Sequence, residues 1–193
     1  MTFSRKPRPP RPPRKVTAQS IDAAALAYLQ RFATSAENLR AMLMRRVRRS
    51  ALAHDDDPAI GAKWVDLLVE RFLRAGLLDD ASYAAARVVA MHRRGASLRG
   101  IRAWLAAKGV AAADIDLALD RLDAEAGNSG LRGAYNYARR RRLGPWRSAG
   151  RKARRDRDLA ALARQGHGYD HARIVIDALD PDELDAIIDE TYE

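Results

Sequence analysis

The chain has 193 residues, no cysteine and a formal net charge of +10. Disulfides, thiolate metal sites and cysteine catalysis are therefore excluded, and no run of about 18 apolar residues is present to span a bilayer. The residues are 47% hydrophobic but only 6% aromatic, and an alanine- and leucine-rich chain poor in aromatics favours helix over sheet.

Residues 1–16 open the chain with Arg5, Lys6, Arg8, Arg11, Arg14 and Lys15 and no acid. Pro7, Pro9, Pro10, Pro12 and Pro13 remove amide donors and favour polyproline II, so this stretch is expected to be a disordered basic arm. Neither an apolar leader nor a membrane span is evident, and a cytoplasmic protein is expected.

From Ser20 onward, Ile21, Ala25, Tyr28 and Phe32 recur at helical spacing. Thr34-Ser-Ala-Glu37 has the form of a capping box and predicts a second helix, with Leu39, Met42, Leu43 and Val47 inward. The acidic segment His54 to Gly61 breaks that pattern and reads as a loop or a helix start. Val65, Leu68, Val69 and Phe72 predict a third helix over Lys63 to Ala75, closed by Gly76. Asp79 is placed to cap the next helix, with Leu78 and Tyr83 flanking it at staple positions.

A second set follows the same plan. Ala84, Val88 and Met91 mark a helix ended by Gly95. Ser97 caps one bearing Leu98, Ile101 and Leu105, closed by Gly109. Ile115, Ala118, Leu119 and Leu122 mark a third, before Gly127-Asn-Ser-Gly130 interrupts. In the third set a helix through Leu131, Tyr135 and Ala138 stops at Gly144-Pro145, another runs from about Arg151 to Gln165, and a third carries Ile174, Ile176 and Leu179. A shift of 57 positions superposes Gly166 on Gly109, Leu162 on Leu105, Ile176 on Leu119 and Leu179 on Leu122. Recurrence of that kind marks a helical repeat array. Asp180-Pro-Asp-Glu183, with Leu179 and Leu184 at staple positions, opens a short terminal helix. The expected architecture is all-α: three tandem three-helix units over residues 17–76, 77–127 and 128–193, the last with a C-terminal helix.

Catalytic constellations are missing from this reading. There is no phosphate loop of the G-x-x-x-x-G-K-[ST] type, and Ser97 and Ser148 have no His–acid partners at recognisable spacing. Asp79-Asp80 is explained by capping. His54 with Asp55, Asp56 and Asp57 reads as a solvated acidic loop rather than a cation site, and His167 and His171 as a surface pair without a third ligand. No enzyme activity, cofactor or metal is expected.

The basic residues are different in scale. Leu131 to Arg157 holds eleven of them against one acid, Asp156, with Tyr135, Tyr137 and Trp146 interleaved. Arginine contacts phosphate as a planar fork, and aromatic rings stack on exposed bases. Beyond Tyr169 the sign inverts, with nine acids facing Arg173, so partial neutralisation within the third unit is expected. Trp104 is expected to be partly exposed, either as a protein-contact anchor or in packing between units.

Gly76-Leu-Leu-Asp-Asp-x-x-Tyr83-Ala84, Arg94-Gly95 and Ile101-Arg-x-x-Leu105-x-x-Lys108-Gly-Val110 together resemble the RecX family of bacterial regulators of the RecA recombinase. The resemblance covers roughly Ala18 to Glu193. The basic arm, the acidic segment and the arginine-dense third unit depart from the family pattern. It implies an elongated, curved array, monomeric and without catalysis, that lies in the groove of a RecA–DNA filament. Recombinase, ATPase and co-protease activities would be inhibited, modulating recombinational repair and the SOS response. On this reading Arg139, Arg140, Arg141, Arg142, Arg151, Lys152, Arg154 and Arg155 meet DNA or acidic filament surface, and Arg94, Arg99, Arg102 and Lys108 extend that face. The alternative is a helical DNA-binding protein acting directly on single- or double-stranded DNA.

Overall fold

The structure is a computed structural model that describes residues 13–190. Among these there are ten α-helices, one 3-10 turn and no strand. Residues 1–12, most of the expected basic arm, lie outside the described residues. The chain divides after Leu78 into two compact units.

The first unit contains α1 (Ala18–Leu29), α2 (Ala36–His54) and α3 (Pro58–Arg74). Its core is built from Ile21 and Ala25 of α1, Leu39, Leu43 and Val47 of α2, and Val65, Val69 and Phe72 of α3. Thr17 caps α1 in a reciprocal box with Ser20. Phe32 falls beyond the helix end and is exposed. The cap of α2 is Ser35, whose hydroxyl accepts from the Asn38 amide at 3.2 Å, not Thr34. The helix starts one residue later than the motif suggests, so Glu37 sits at the second helical position and pairs with Arg40 at 2.8 Å.

The acidic segment is no long loop. Residue Asp55 closes α2 in a left-handed conformation (φ 55°), and Asp57 already caps α3, with Pro58 at its first position. Asn and Asp tolerate that backbone better than most residues. The chain before α1 is tied to this corner. The Val16 amide donates to Ser50 Oγ at 2.9 Å, Lys15 pairs with Asp56 at 2.7 Å, and His54 Nε2 donates to the Pro13 carbonyl at 2.8 Å.

The second unit contains α4 (Asp80–Arg93), α5 (Leu98–Ala107), α6 (Ala112–Ala126), α7 (Ser129–Arg141), the 3-10 turn Gly144–Trp146, α8 (Arg151–Arg164), α9 (Tyr169–Asp177) and α10 (Pro181–Glu190). Asp79 caps α4, accepting from the Ser82 amide and hydroxyl at 2.9 and 2.6 Å; these bonds lower its pKa from the ordinary carboxylate value. One core gathers Val88, Ile101, Leu105, Ile115 and Leu119; another gathers Leu131, Ala138, Leu162, Val175, Ile176 and Leu184. The 57-position correspondence holds for Leu162 and Leu105, both fully buried, and for Gly166 and Gly109, both at positive φ. It fails at Leu179, which is 79% exposed. Helix α9 stops at Asp177, two residues short of the turn that would point Leu179 inward, and the staple with buried Leu184 does not form. Helix α7 also starts earlier than expected, capped by Asn128 inside the Gly-Asn-Ser-Gly stretch.

The two cores of this unit are joined by polar bonds and a close backbone approach. Ser97 Oγ accepts from the Gly100 amide at 3.0 Å and donates to the Gln165 carbonyl at 2.6 Å, so one hydroxyl both caps α5 and holds the end of α8. Buried His92 donates through Nε2 to the Ser129 carbonyl at 2.7 Å, and buried His167 to the Gly95 carbonyl at 3.2 Å. Gly95 has φ 79°, and a Cβ there would lie 2.3 Å from the Tyr137 amide nitrogen. Only glycine suits both the backbone and the space.

Two expectations follow from this packing. A Cβ on Gly61 would lie 2.5 Å from Val47 Cγ1, so G61A should cost about 1–3 kcal/mol through overpacking. Adding V47A should recover part of that loss, as read from urea unfolding followed by circular dichroism. Burial also lowers the pKa of both His92 and His167 below the ordinary imidazole value, despite bonds to carbonyls that act the other way. The unfolded chain therefore takes these protons first. Stability contributed by the neutral rings is complete above about pH 6.5 and lost as pH falls below it. The urea midpoint should drop between about pH 7.5 and pH 5, and H92Q/H167Q, which keeps the donors but cannot charge, should flatten that dependence.

Candidate functional site

The arginine-dense stretch folds into two groups with different partners. Arg147 turns inward: its Nε donates to Asp158 Oδ2 at 2.6 Å, and the Gly144 amide reaches the same oxygen at 3.0 Å. Burial acts to raise the pKa of Asp158, but the Arg147 and Gly144 bonds outweigh it and the carboxyl is lowered. Arg151 caps the C-terminus of α9, donating to the carbonyls of Leu179 at 2.7 Å, Ile176 at 2.9 Å and Ala178. Arg155 forms a two-pronged pair with Asp177 at 2.6 and 2.7 Å, raising the arginine's pKa and lowering the aspartate's. Arg151 and Arg155 cap or neutralise the start of the acidic end of the chain from within, while Arg147 is committed to Asp158 of α8. Arg102 is likewise paired, with Asp116 across α5 and α6.

Arg132 is half-buried and donates to the Ile188 carbonyl at 3.4 Å, whereas Arg139 to Arg142 are exposed. Arg139, Arg140 and Arg141 occupy the last turn of α7, and Arg142 closes it in a left-handed conformation (φ 53°). Cations are favourable against the partial negative charge of a helix C-terminus, so this run stabilises its own helix end. Arg139 also bonds to Tyr135, whose hydroxyl meets Asp185; burial is the main influence that raises the tyrosine's pKa. The other three line a hollow of about 460 Å³ with Arg164 and Gln165 of the α8 end. A second hollow, about 310 Å³, shares Tyr137, Arg140 and Gln165 with the first and adds Arg87, Arg94 and Trp104. No Asp or Glu lines either one. Arg99 lies against Gly166, beside the Ser97–Gln165 bond. Lys108 stands 5.5 Å from the Trp104 ring centre and Arg87 6.0 Å from it. Lys152 and Arg154 are exposed on α8 but line neither hollow.

Thus the fold gathers Arg94 and Arg140 to Arg142 on one surface, with Lys108 and Arg99 near its edges, and commits Arg102, Arg151 and Arg155 elsewhere. Arg87 and Arg164, absent from the sequence-based set, complete it. Nothing in their local sequence marks them: Arg164 joins only because the end of α8 is held against Ser97. Of the aromatics interleaved with the arginines, Tyr137 is buried and Trp146 packs edge-on against Tyr135 at 5.2 Å. The ring among the cations is Trp104.

Among the described residues no group of three or more histidines, aspartates or glutamates could hold a metal ion, and no helix is long and apolar enough to cross a membrane.

A tandem-helical protein with an acid-free arginine surface is the class that this fold and site define. Residues 79–119 match the RecX second three-helix domain. The chain is 39% identical over 176 residues to the regulatory protein RecX of Myxococcus xanthus (strain DK1622), covering 90% of this chain and 93% of that one. It is 34% identical over 138 residues to regulatory proteins RecX of Streptomyces coelicolor and Streptomyces lividans, covering 70% of each chain. No solved structure matches. The chain belongs to the RecX family of regulatory proteins.

The buried Arg147–Asp158 pair has a direct test. D158A leaves a partly buried guanidinium and the Gly144 amide without their acceptor, and should destabilise by about 3–5 kcal/mol. R147M/D158L, which removes both charges, should be far milder in the same urea titration.

Proposed function

We propose that this protein regulates by binding: its arginine surface sits on a RecA–DNA filament and restrains recombinase, ATPase and co-protease activity, and with them recombinational repair and the SOS response. On this reading it works in the cytoplasm as a monomer, without a cofactor. One observation carries the proposal. The two adjoining hollows are lined by Arg87, Arg94, Arg140, Arg141, Arg142 and Arg164 and by no acid. Such a surface attracts a polyanion and steers its approach.

A second reading, direct binding to DNA without the recombinase, draws on the same surface and is separated by salt. Tight binding to bare DNA with a steep salt slope supports it; weak bare-DNA binding beside tight filament binding supports the regulator.

The test is RecA ATPase on single-stranded DNA with substoichiometric amounts of this protein. Wild type should depress the rate. R140E/R141E/R142E should need roughly tenfold more protein for the same effect, with salt sensitivity reduced, and should retain the helical circular dichroism signal. Unchanged inhibition by this variant overturns the assignment of the surface. R151A and R155A are poor probes, because each also breaks a structural contact.

A further inference from the structure

Within the arginine surface one residue is out of keeping with a purely electrostatic contact. Trp104 is half-buried on α5 and lines the smaller hollow together with Arg87, Arg94, Tyr137, Arg140 and Gln165. Lys108 Nζ and Arg87 Cζ lie over its ring, 5.5 and 6.0 Å from the centre, on long side chains that a stacking base would displace. A tryptophan used only for packing turns its ring into the core, whereas this one packs partly on the core and partly on a cationic recess. Phosphate recognition alone needs the guanidinium forks but gives no role to an indole beside them. An aromatic ring among cations is an arrangement by which proteins hold single-stranded nucleic acid, with bases stacking on the ring and cations tracking the backbone.

We propose that the Trp104 hollow is a subsite for single-stranded nucleic acid: one base stacks on the indole while Arg94 and Arg140 take the flanking phosphates, and Arg141, Arg142 and Arg164 receive the continuing backbone in the adjoining hollow. This deepens the preceding proposal and rests on its premise that the arginine surface meets a polyanion. Single strands are favoured over duplex because a paired base lies inside its stack and cannot enter a recess between helices, whereas an unpaired base can be splayed into it. An acidic polypeptide would satisfy the arginines equally well but would gain nothing from the ring.

The experiment uses the full chain and three fluorescein-labelled probes of equal length: oligo(dT), an abasic oligomer with the same phosphates and no bases, and a duplex. Fluorescence anisotropy should show oligo(dT) binding about tenfold more tightly than the abasic probe, and more tightly than the duplex. W104A should bring oligo(dT) down to the abasic affinity with the salt slope unchanged. W104F, which keeps a ring and part of the packing, should retain most of the preference and guards against a folding defect in W104A. Equal affinity of wild type for oligo(dT) and abasic probes, a preference for duplex, survival of the base preference in W104A, competition by polyglutamate as effective as by oligo(dT), or failure to bind any probe overturns the subsite. If the subsite fails while R140E/R141E/R142E still relieves inhibition of RecA, the regulatory reading stands. If that variant inhibits normally, the regulatory reading falls whatever Trp104 does.

Discussion

Everything on the arginine surface depends on how closely the end of α4 approaches α7. Gly95 lets the α4 turn sit against the backbone of Tyr137 where any side chain would collide. The Ser97 hydroxyl then ties the same corner to Gln165 at the end of α8, and His167 returns a bond to Gly95. Three helix ends meet there, each bringing cations: Arg94 from α4, Arg140 to Arg142 from α7 and Arg164 from α8. The bonds holding the corner join neutral groups, so the corner itself does not depend on the charges around it.

Arginine does two kinds of work in the second unit. Arg147, Arg151 and Arg155 form bidentate or multiple bonds to Asp158, to the α9 carbonyls and to Asp177. They hold the 3-10 turn and the last helices onto α8, in contacts where lysine, a point charge, would not satisfy the same geometry. The hollows lined by Arg87, Arg94, Arg140, Arg141, Arg142 and Arg164 contain no Asp or Glu. Internal neutralisation removes the arginines nearest the acidic end and leaves a patch whose sign is uniform. A dense run of like charge in one dimension thus becomes a smaller, better-defined surface in three.

The family relationship and this surface bear on different questions. Identity of 39% across nearly the whole chain establishes what kind of protein this is. It does not by itself say which side chains meet a partner. The candidates are narrowed by exposure, by the pairing of competing arginines and by the place of Trp104 beneath Arg87 and Lys108.

Most of the helical plan was legible in the amino-acid order, because its signals are local. Asp79 and Ser97 as caps, Gly76, Gly95, Gly109 and Gly166 as helix stops, and the inward stripes of Leu39–Leu43, Ile101–Leu105 and Ile115–Leu119 all depend on neighbours within a turn or two. Differences lie where a choice between adjacent positions was settled by packing: Ser35 rather than Thr34 as cap, the acidic segment resolved to a helix start behind a three-residue corner, and Leu179 left in solvent. The composition of the basic stretch was plain, but the division of labour within it was not. Whether an arginine reaches an aspartate twenty-two residues away, as Arg155 does, or remains on a surface beside Arg94, is set by which helix ends are brought together. That is a long-range property of the fold, and only the tertiary structure decided it.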